Sequence, residues 1–382
     1  MAEGLGSAAA VFGTFLRLGL TSFGGPVAHL GYFRRRFVGD WLDEAEFAAI
    51  VGVCAFLPGP TSSQAGVAIG LRRAGWRGAV AAWAGFTLPS ALLMTSFALA
   101  AGSLRGPTAT AAVHGLKLAA VAIVAHAVIG MARTLAPDWP RRALALAAAA
   151  IVAGLGAWGQ IAAIAFGALA GCLLVTGGET ATAPSRPART AYLSLLLFAV
   201  LLAGLPLLRA ATGDHLVAVA DAFYRAGAFV FGGGHVVLPL LRPALVPAWM
   251  SGDTFLAGYG AAQALPGPLF AVAAYFGTAT GGLAGAAVAT VAIFAPGMLL
   301  LVGVLPLWSR LQANARARAA VAGVNAAVVG VLAAALVSPV GTGAIARVPD
   351  AVIAATGLIA MLARVPPWAV VTGCVFLALP SG

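Results

Sequence analysis

Long apolar runs, separated by short stretches of polar and basic residues, make up most of this chain. About 20 apolar residues are needed to cross the roughly 30 Å hydrocarbon core of a bilayer as a helix. Five runs reach or approach that length, at residues 79–101, 112–131, 191–208, 283–305 and 319–337, and two shorter ones lie at 143–156 and 161–175. Unbroken runs are typical of helices, whereas membrane β-barrels have short segments of alternating polarity. The pattern predicts an all-α polytopic membrane protein.

One part of this pattern occurs twice. Residues 15–60 align with residues 223–268 without a gap, at a constant offset of 208 (223 − 15), and 17 of the 46 positions are identical. Both copies contain a Gly-Gly pair and end in Leu-Pro-Gly-Pro, at residues 57–60 and 265–268. Interrupted apolar segments at matching places in two halves are a sign of a transporter's binding site. We therefore predict two homologous repeats with broken or re-entrant helices.

The repeat divides the chain into three parts. Residues 1–176 form the predicted first repeat and residues 214–382 the predicted second repeat. Between them lies a hydrophilic stretch, residues 177–190, that has the composition of a linker. The apolar run that follows it has no counterpart after the second repeat. Residues 177–213 are therefore interpreted as a linker and an extra transmembrane helix.

Basic residues are distributed differently in the two copies. Three arginines at 34–36 match Arg242 alone, and three more between 72 and 77 match an uncharged loop, residues 278–285. Further along, the bias reverses, since residues 102–111 contain one arginine and residues 309–318 contain three. Short loops rich in Lys and Arg stay on the cytoplasmic face. Matching loops are therefore predicted to lie on opposite faces, with the two repeats inverted.

The first Pro-Gly-Pro segment has basic clusters on both sides. Residues 46–70 are therefore expected to enter and leave the membrane on one face, with residues 58–60 at the tip of a re-entrant hairpin. Each arm of about 11 residues is roughly 17 Å long as a helix, which reaches about the midplane. This hairpin leaves an even number of predicted crossings between the repeats. Inversion then requires either that one short segment does not cross, or that the Pro-Gly-Pro segment does.

Composition excludes several classes of protein. The chain is 61% hydrophobic and 9% charged, with a mean hydropathy of +0.99, whereas soluble domains have about 25% charged residues. The net charge of +11 comes from basic residues in short loops, where they set topology rather than bind nucleic acid. Cys54, Cys172 and Cys374 lie in apolar stretches without metal-ligand spacing, so no metal or other cofactor is expected. The N-terminus has no basic region of the kind that begins a cleavable signal peptide.

The two Pro-Gly-Pro sequences are the main candidates for a binding site. Proline cannot donate a backbone hydrogen bond and glycine tolerates unusual backbone angles, so each sequence stops one helix and starts another. The free N–H groups at the new helix start attract an anion, and a following hydroxyl can cap the helix or bond a ligand oxygen. A structural kink is the alternative. The candidate residues at these breaks are Pro58, Gly59, Pro60, Thr61, Ser62, Gln64, Gln263, Pro266, Gly267 and Pro268, and the Gly-Gly breaks add Gly24, Gly25, Gly233 and Gly234.

A second group of candidates carries positive charge or can carry it. Arg17 and Arg225 lie inside helices at equivalent positions, where an arginine is costly and suggests function. Snorkelling to the interface is the alternative, and for Arg225 a local ion pair with Asp221, four residues earlier, is another. Lys117 and His235 could bond an oxyanion, with snorkelling as the alternative for the lysine and helix packing as the more common alternative for the histidine. Acidic residues are scarce at membrane depth, so the polar residues favour an anion over a cation.

These motifs resemble the chromate ion transporter family in its long, two-domain form, over nearly the whole chain. In the first half they are residues 18–26, His29, Trp41, Cys54, residues 56–60 and Ser63-Gln64, and in the second half Phe229, residues 231–235, 239–241, Gln263 and 265–268. The resemblance implies an inner-membrane protein that expels chromate, with two homologous halves in opposite orientations and sulfate as the usual competitor. The family often has glutamine before the first Phe-Leu-Pro-Gly-Pro. This chain has Ala55 there and keeps Gln263 in the second copy.

The expected function is therefore chromate export by a multi-pass inner-membrane transporter that confers chromate resistance. Transport of sulfate or another divalent oxyanion is the alternative. A membrane enzyme acting on a phosphorylated lipid would need a nucleophile or base with acidic or metal-binding partners, which the acidic cluster at 40–46 does not offer. The chain also has no Walker-type loop for ATP hydrolysis. The expected partners are the oxyanion and the lipid bilayer, without nucleic acid, and a homodimer is left open.

Overall fold

The computed structural model describes residues 7–101, 106–155, 159–174, 189–231 and 234–379, and these residues are almost entirely helical. The helices are α1 (Ala8–Thr21), α2 (Gly25–Phe37), α3 (Glu44–Phe56), α4 (Thr61–Ala101), α5 (Pro107–Leu135), α6 (Trp139–Leu155), α7 (Gly159–Leu174), α8 (Arg189–Thr212), α9 (His215–Phe229), α10 (Val237–Leu245), α11 (Gly252–Ala264), α12 (Val272–Val304), α13 (Trp308–Ala313), α14 (Ala315–Ala335), α15 (Thr342–Ala344), α16 (Val348–Leu362) and α17 (Pro367–Ala378). Helices α1–α7 belong to the first repeat and α9–α17 to the second, with α8 between them.

Several helices begin where a polar side chain accepts a hydrogen bond from a backbone N–H group of the first turn. At the start of α3, Asp43 accepts from the Glu46 N–H at 2.8 Å, and the Glu46 carboxylate accepts from the Asp43 N–H at 3.1 Å. Such reciprocal capping satisfies N–H groups that have no partner within the helix. Single caps of the same kind are made by Ser7, Asp214, Ser251 and Asn314.

The two longest helices are each bent back into a hairpin. The backbone leaves helical geometry at residues 74–75 of α4 and 281–282 of α12, where Gly75 and Gly282 both have a φ of +61°. The two arms meet where glycine backbones touch, Gly70 against Gly78 in α4 and Gly277 against Gly285 in α12. Each hairpin therefore has a short arm before the turn and a long arm after it.

The α2–α3 loop and the start of α3 lie beside the turn of the α4 hairpin. The Arg73 guanidinium lies 5.4 Å from the centre of the Trp41 ring, and Arg72 forms an ion pair with Glu46. In the second repeat, His215 Nε2 lies 2.9 Å from the Thr280 carbonyl oxygen, so α9 begins beside the turn of the α12 hairpin. Each repeat thus contains two pairs of half-length helices that return to their starting side. The contacts of Arg72 and Arg73 agree with the predicted hairpin that has residues 58–60 at its tip. The membrane crossing of the short segments stays a prediction.

The two repeats run in opposite directions. Phe97 of the first long arm stacks on Tyr275 of the second short arm, with ring centres 5.5 Å apart. Phe97 lies 22 residues after its turn (97 − 75), about 33 Å along a helix, whereas Tyr275 lies 6 residues before its turn (281 − 275), about 9 Å. The second turn therefore lies on the side where the first long arm ends. This geometry agrees with the inversion predicted from the arginines.

The remaining helices interlock the repeats. Helix α5 packs against α16 and α17 of the second repeat, and its counterpart α14 packs against α6 and α7 of the first. Glycines permit these close contacts, Gly115 against the backbone of Val375 and Gly323 against Gly167. The extra helix α8 packs on α9 and α12.

The outer surface carries large apolar side chains. Leu169, Leu173 and Val337 are 70%, 83% and 70% exposed, which is the arrangement expected when the surrounding solvent is lipid. Within the described ranges, five helices are long and apolar enough to cross a membrane, at 61–101, 107–135, 189–212, 269–307 and 315–344. The prediction of an all-α membrane protein with two repeats is confirmed.

Candidate functional site

The two Pro-Gly-Pro breaks each bond to the other repeat. The Gly59 N–H group donates to the Val230 carbonyl oxygen at 2.7 Å, and the Gly267 N–H group donates to the Ser22 carbonyl oxygen at 2.9 Å. At the offset of 208, Gly59 matches Gly267 and Ser22 matches Val230. The two hydrogen bonds are therefore reciprocal. They join the Pro-Gly-Pro break of each repeat to the end of the first helix of the other repeat.

Both of these positions require glycine. The φ angles are +123° at Gly59 and +95° at Gly267, in the region that other residues rarely adopt. A Cβ at Gly59 would lie 3.0 Å from Gly297 Cα, and one at Gly267 would lie 2.9 Å from Ser90 Oγ. Ser90 and Gly297 themselves occupy matching places, at an offset of 207 (297 − 90). The backbones of the two repeats therefore approach each other closely here.

The break after α1 is also built from glycine. Gly24 and Gly25 have φ angles of +101° and +77°, and Pro26 occupies the first turn of α2. Gly24 provides no side-chain cap, so the first N–H groups of α2 lack this partner. A helix start of this kind carries partial positive charge.

Polar side chains of the first repeat are buried beside its Pro-Gly-Pro break. Thr61 begins α4, and Ser62, Ser63 and Gln64 follow with exposures of 2%, 2% and 0%. The Gln64 amide donates to the Pro58 carbonyl oxygen at 3.0 Å and to the Gly297 carbonyl oxygen, in the other repeat, at 2.9 Å. Gln64 therefore fastens the break to the second repeat. These two hydrogen bonds give Gln64 a structural role at the contact between the repeats.

Three buried hydroxyl groups on the elements that meet here have no hydrogen-bond partner among the described residues. They belong to Ser22, Ser63 and Thr87, whose side chains are at most 2% exposed. A buried polar group without a partner costs about 1–3 kcal/mol, so such groups are rare without a reason. A bound ligand that accepts hydrogen bonds would supply the missing partner. Ser22 and Thr87 were absent from the predicted site, because nothing in the local sequence separates them from ordinary helix residues.

His29 connects several of these elements. Its Nε2 atom lies 3.1 Å from the Ser22 carbonyl oxygen, which can only accept, so Nε2 carries the proton. Its Nδ1 atom lies 3.2 Å from Ser62 Oγ and accepts from that hydroxyl. Val237 and Phe270 occupy the matching places in the second repeat. The polar character of the site is therefore concentrated in the first repeat.

The second repeat has a smaller polar group near its own break. His235 Nδ1 lies 2.7 Å from the Tyr259 hydroxyl. The amide nitrogen of Gln263 is buried without a partner among the residues described. Gly234 packs against Leu269, whereas Gly233 lies outside the described residues.

The three predicted basic residues are either exposed or paired with a carboxylate. The Arg17 side chain is exposed on α1. Arg225 lies 2.6 Å from the buried carboxylate of Asp221, so the local ion pair considered from the sequence is present. Lys117 Nζ lies 2.8 Å from Asp253 Oδ1. The predicted roles of these three basic residues in substrate binding stay predictions.

Lys117 instead lines a separate cavity of about 240 Å³, where α5 meets α11 and α16. His114, Asp253 and Arg347 share its walls. His114 Nε2 also lies 2.9 Å from the fully buried carboxylate of Asp350. Asp253 is paired with Lys117 and Asp350 with His114. The cavity therefore has less positive charge available to bind an anion than its basic residues suggest.

Comparison with known proteins places these features in a family. The family model described as chromate transporter matches residues 9–172 and 217–379. The chain is 30% identical to a chromate transport protein of Pseudomonas aeruginosa over 97% of this chain and 90% of that protein. It is 29% identical to a probable chromate transport protein of Synechococcus elongatus over 85% and 82% of the two chains, and 26% identical to an uncharacterized transporter of Methanocaldococcus jannaschii over 81% and 78%. No solved structure matches the chain. Since the family model covers both repeats, including all of their glycine and proline breaks, the chain belongs to the chromate transporter family.

Proposed function

We propose that this transporter exports chromate across the inner membrane and thereby confers chromate resistance, with the oxyanion bound between the two Pro-Gly-Pro breaks. Membership of the family supports transport, and relatives named as chromate transport proteins support chromate as the substrate. The reciprocal pair of hydrogen bonds made by Gly59 and Gly267 supports the proposed position of the oxyanion between the breaks.

Neutral donors hold the oxyanion in this proposal. A dianion that leaves water needs compensating hydrogen bonds or charge, because an unpaired buried ion is excluded by its desolvation cost. The helix start at Thr61 supplies backbone N–H groups with partial positive charge. The unpartnered hydroxyls of Ser22, Ser63 and Thr87 supply further donors without any rearrangement of the protein's own hydrogen bonds.

Inverted repeats offer a simple way to move the ion. Each break donates one backbone hydrogen bond to the opposite repeat, at Gly59 and at Gly267, and the Gln64 amide adds a further bond at the first break. If one of these contacts opens while the other stays closed, a site between them becomes accessible from one side of the membrane. Movement of one repeat against the other is the general mode of such transporters.

Sulfate or another divalent oxyanion is the second candidate substrate. Chromate and sulfate share charge and tetrahedral shape, and hydroxyl and backbone donors do not distinguish two such ions. Transport of sulfate by the same site would therefore need no change in the described geometry.

Uptake by everted membrane vesicles tests the proposal. Vesicles that contain the protein should take up labelled chromate faster than vesicles without it, and excess sulfate should reduce this uptake by competition. Equal uptake in the two preparations contradicts chromate export. Saturable sulfate uptake that chromate does not inhibit would favour the alternative substrate.

A further inference from the structure

The second repeat contains an arginine whose counterpart has an acidic partner. In the first repeat, Arg34 Nε donates to Glu44 Oε1 at 2.8 Å. At the offset of 208, Arg242 takes the place of Arg34 and Gly252 takes the place of Glu44. Arg242 and Gly252 are still neighbours, because a Cβ at Gly252 would lie 3.9 Å from Arg242 Nη2. In the part of the chain that the structure describes, the Arg242 guanidinium has no ion pair or hydrogen bond.

Arg242 lines a cavity of about 820 Å³ between α6, α10 and α14. Most of the other walls are apolar and small. They are mainly alanines of α6 and α14, with Gln160 and Ser338 as the polar exceptions. Gln160 is already engaged, since its amide donates to the Pro239 carbonyl oxygen at 2.6 Å. The cavity therefore combines one half-buried, unpaired cation with a long apolar wall.

The cavity opens where two helices separate at the lipid-facing surface. Helices α6 and α14 touch at Ala145 and Gly330, and the cavity begins one turn beyond that contact. There α14 gives way to a wider helical turn at residues 336–341, in which Ser338 departs from helical angles. Val337 at this edge is 70% exposed, so the apolar wall continues onto the surface that faces lipid.

We propose that this cavity binds an anionic phospholipid, with its phosphate on Arg242 and an acyl chain along the alanines of α6 and α14. An apolar wall favours a hydrocarbon chain, and an unpaired arginine favours a phosphate, which its planar fork of donors can bind at two points. A small free oxyanion would use the arginine but leave the apolar wall unfilled. The lipid would hold α10 of the second repeat against α6 of the first. This proposal does not depend on the identity of the transported ion.

Thermal unfolding of the purified full-length protein in detergent tests the proposal. Phosphatidylglycerol should raise the unfolding temperature by about 2–5 °C at saturation, because a ligand that binds the folded state stabilises it. Phosphatidylcholine and inorganic phosphate should give little or no rise. Phosphatidylcholine carries the same phosphate together with a choline cation, so an equal rise with it contradicts the preference for an anionic lipid, and an equal rise with inorganic phosphate contradicts the lipid.

Two variants and one control sharpen this test. Arg242→Ala should lose the response to phosphatidylglycerol. Gly252→Glu should also lose it while keeping the arginine, because it restores the acidic partner found in the first repeat, at a helix start where a carboxylate is favourable. Arg34→Ala, at the matching place, should respond like the parent. If Arg242→Ala does not fold, Gly252→Glu decides, and a full parental response from that variant overturns the proposal.

Discussion

Alanine at Gly59 or at Gly267 should slow chromate transport at least about 30-fold while the protein still inserts in the membrane. The two glycine N–H groups donate across the repeat interface at 2.7 and 2.9 Å. Both residues have positive φ angles, +123° and +95°. The left-handed region costs an L-residue about 1–2 kcal/mol.

Crowding adds to this backbone strain. The new methyl group would lie 3.0 Å from Gly297 Cα in the first variant and 2.9 Å from Ser90 Oγ in the second. Overpacking of a close contact costs about 1–3 kcal/mol, so the total is roughly 2–5 kcal/mol. Because about 1.4 kcal/mol corresponds to a factor of ten, a cost of this size in the transport cycle slows it at least about 30-fold.

Gly39→Ala is the matched control. Gly39 has a φ of +87° in the α2–α3 loop, and no described atom lies within 4 Å of the Cβ that alanine would add. This variant shares the backbone strain but not the crowding at the interface. Chromate uptake by everted vesicles, divided by the amount of inserted protein, should fall in the two break variants and stay near the parental rate in Gly39→Ala. Break variants that transport as well as Gly39→Ala would refute the reasoning.

Three further predictions follow from other contacts. Ser63→Ala should weaken chromate binding about 10- to 100-fold without lowering the unfolding temperature, since a hydrogen bond to a charged group contributes about 1.5–3 kcal/mol. The control Ser194→Ala loses a 2.7 Å bond to the Leu299 carbonyl oxygen, so it should lower the unfolding temperature and leave chromate affinity unchanged. The reverse pattern would contradict the proposed site. Arg225→Ala should lower the unfolding temperature because it removes the closer of two arginine partners of the fully buried Asp221 and leaves only Arg209, at 3.4 Å. Adding Asp221→Asn should recover most of the loss, and no recovery would show that the ion pair is not the cause. Arg35→Cys and Ala248→Cys, each made in a Cys172→Ser background that lacks the exposed native cysteine, should be labelled from opposite faces of the membrane. Labelling of both from one face would contradict the inverted arrangement.

The repeats and their breaks could be predicted because they depend on local backbone chemistry. Glycine and proline interrupt an apolar helix wherever they occur, and Pro-Gly-Pro at residues 58–60 and 266–268 stands out at a fixed offset. The inversion was also visible, since the arginines reverse their bias between the copies. The Arg225 pair with Asp221 was foreseeable from a spacing of four residues on one helix.

The rest depends on contacts between distant parts of the chain. Gln64 bonds the Gly297 carbonyl oxygen, 233 residues away, and His29 contacts Ser62 across a separation of 33 residues. Neither contact leaves a local pattern. The offset alignment carries one usable sign, because His29 and Ser62 are both replaced by apolar residues in the second repeat. The same comparison identifies Arg242, because Gly252 replaces the acidic partner that Arg34 has in Glu44.

The location of the transported ion is the central claim, and anomalous scattering from chromium tests it most directly. A structure of the protein with bound chromate, recorded near the chromium absorption edge, should contain a chromium peak between Gly59 and Gly267, with one of the chromate oxygens within hydrogen-bond distance of Ser63 Oγ. A peak in the Lys117 cavity or beside Arg17, with none at the breaks, would contradict the account.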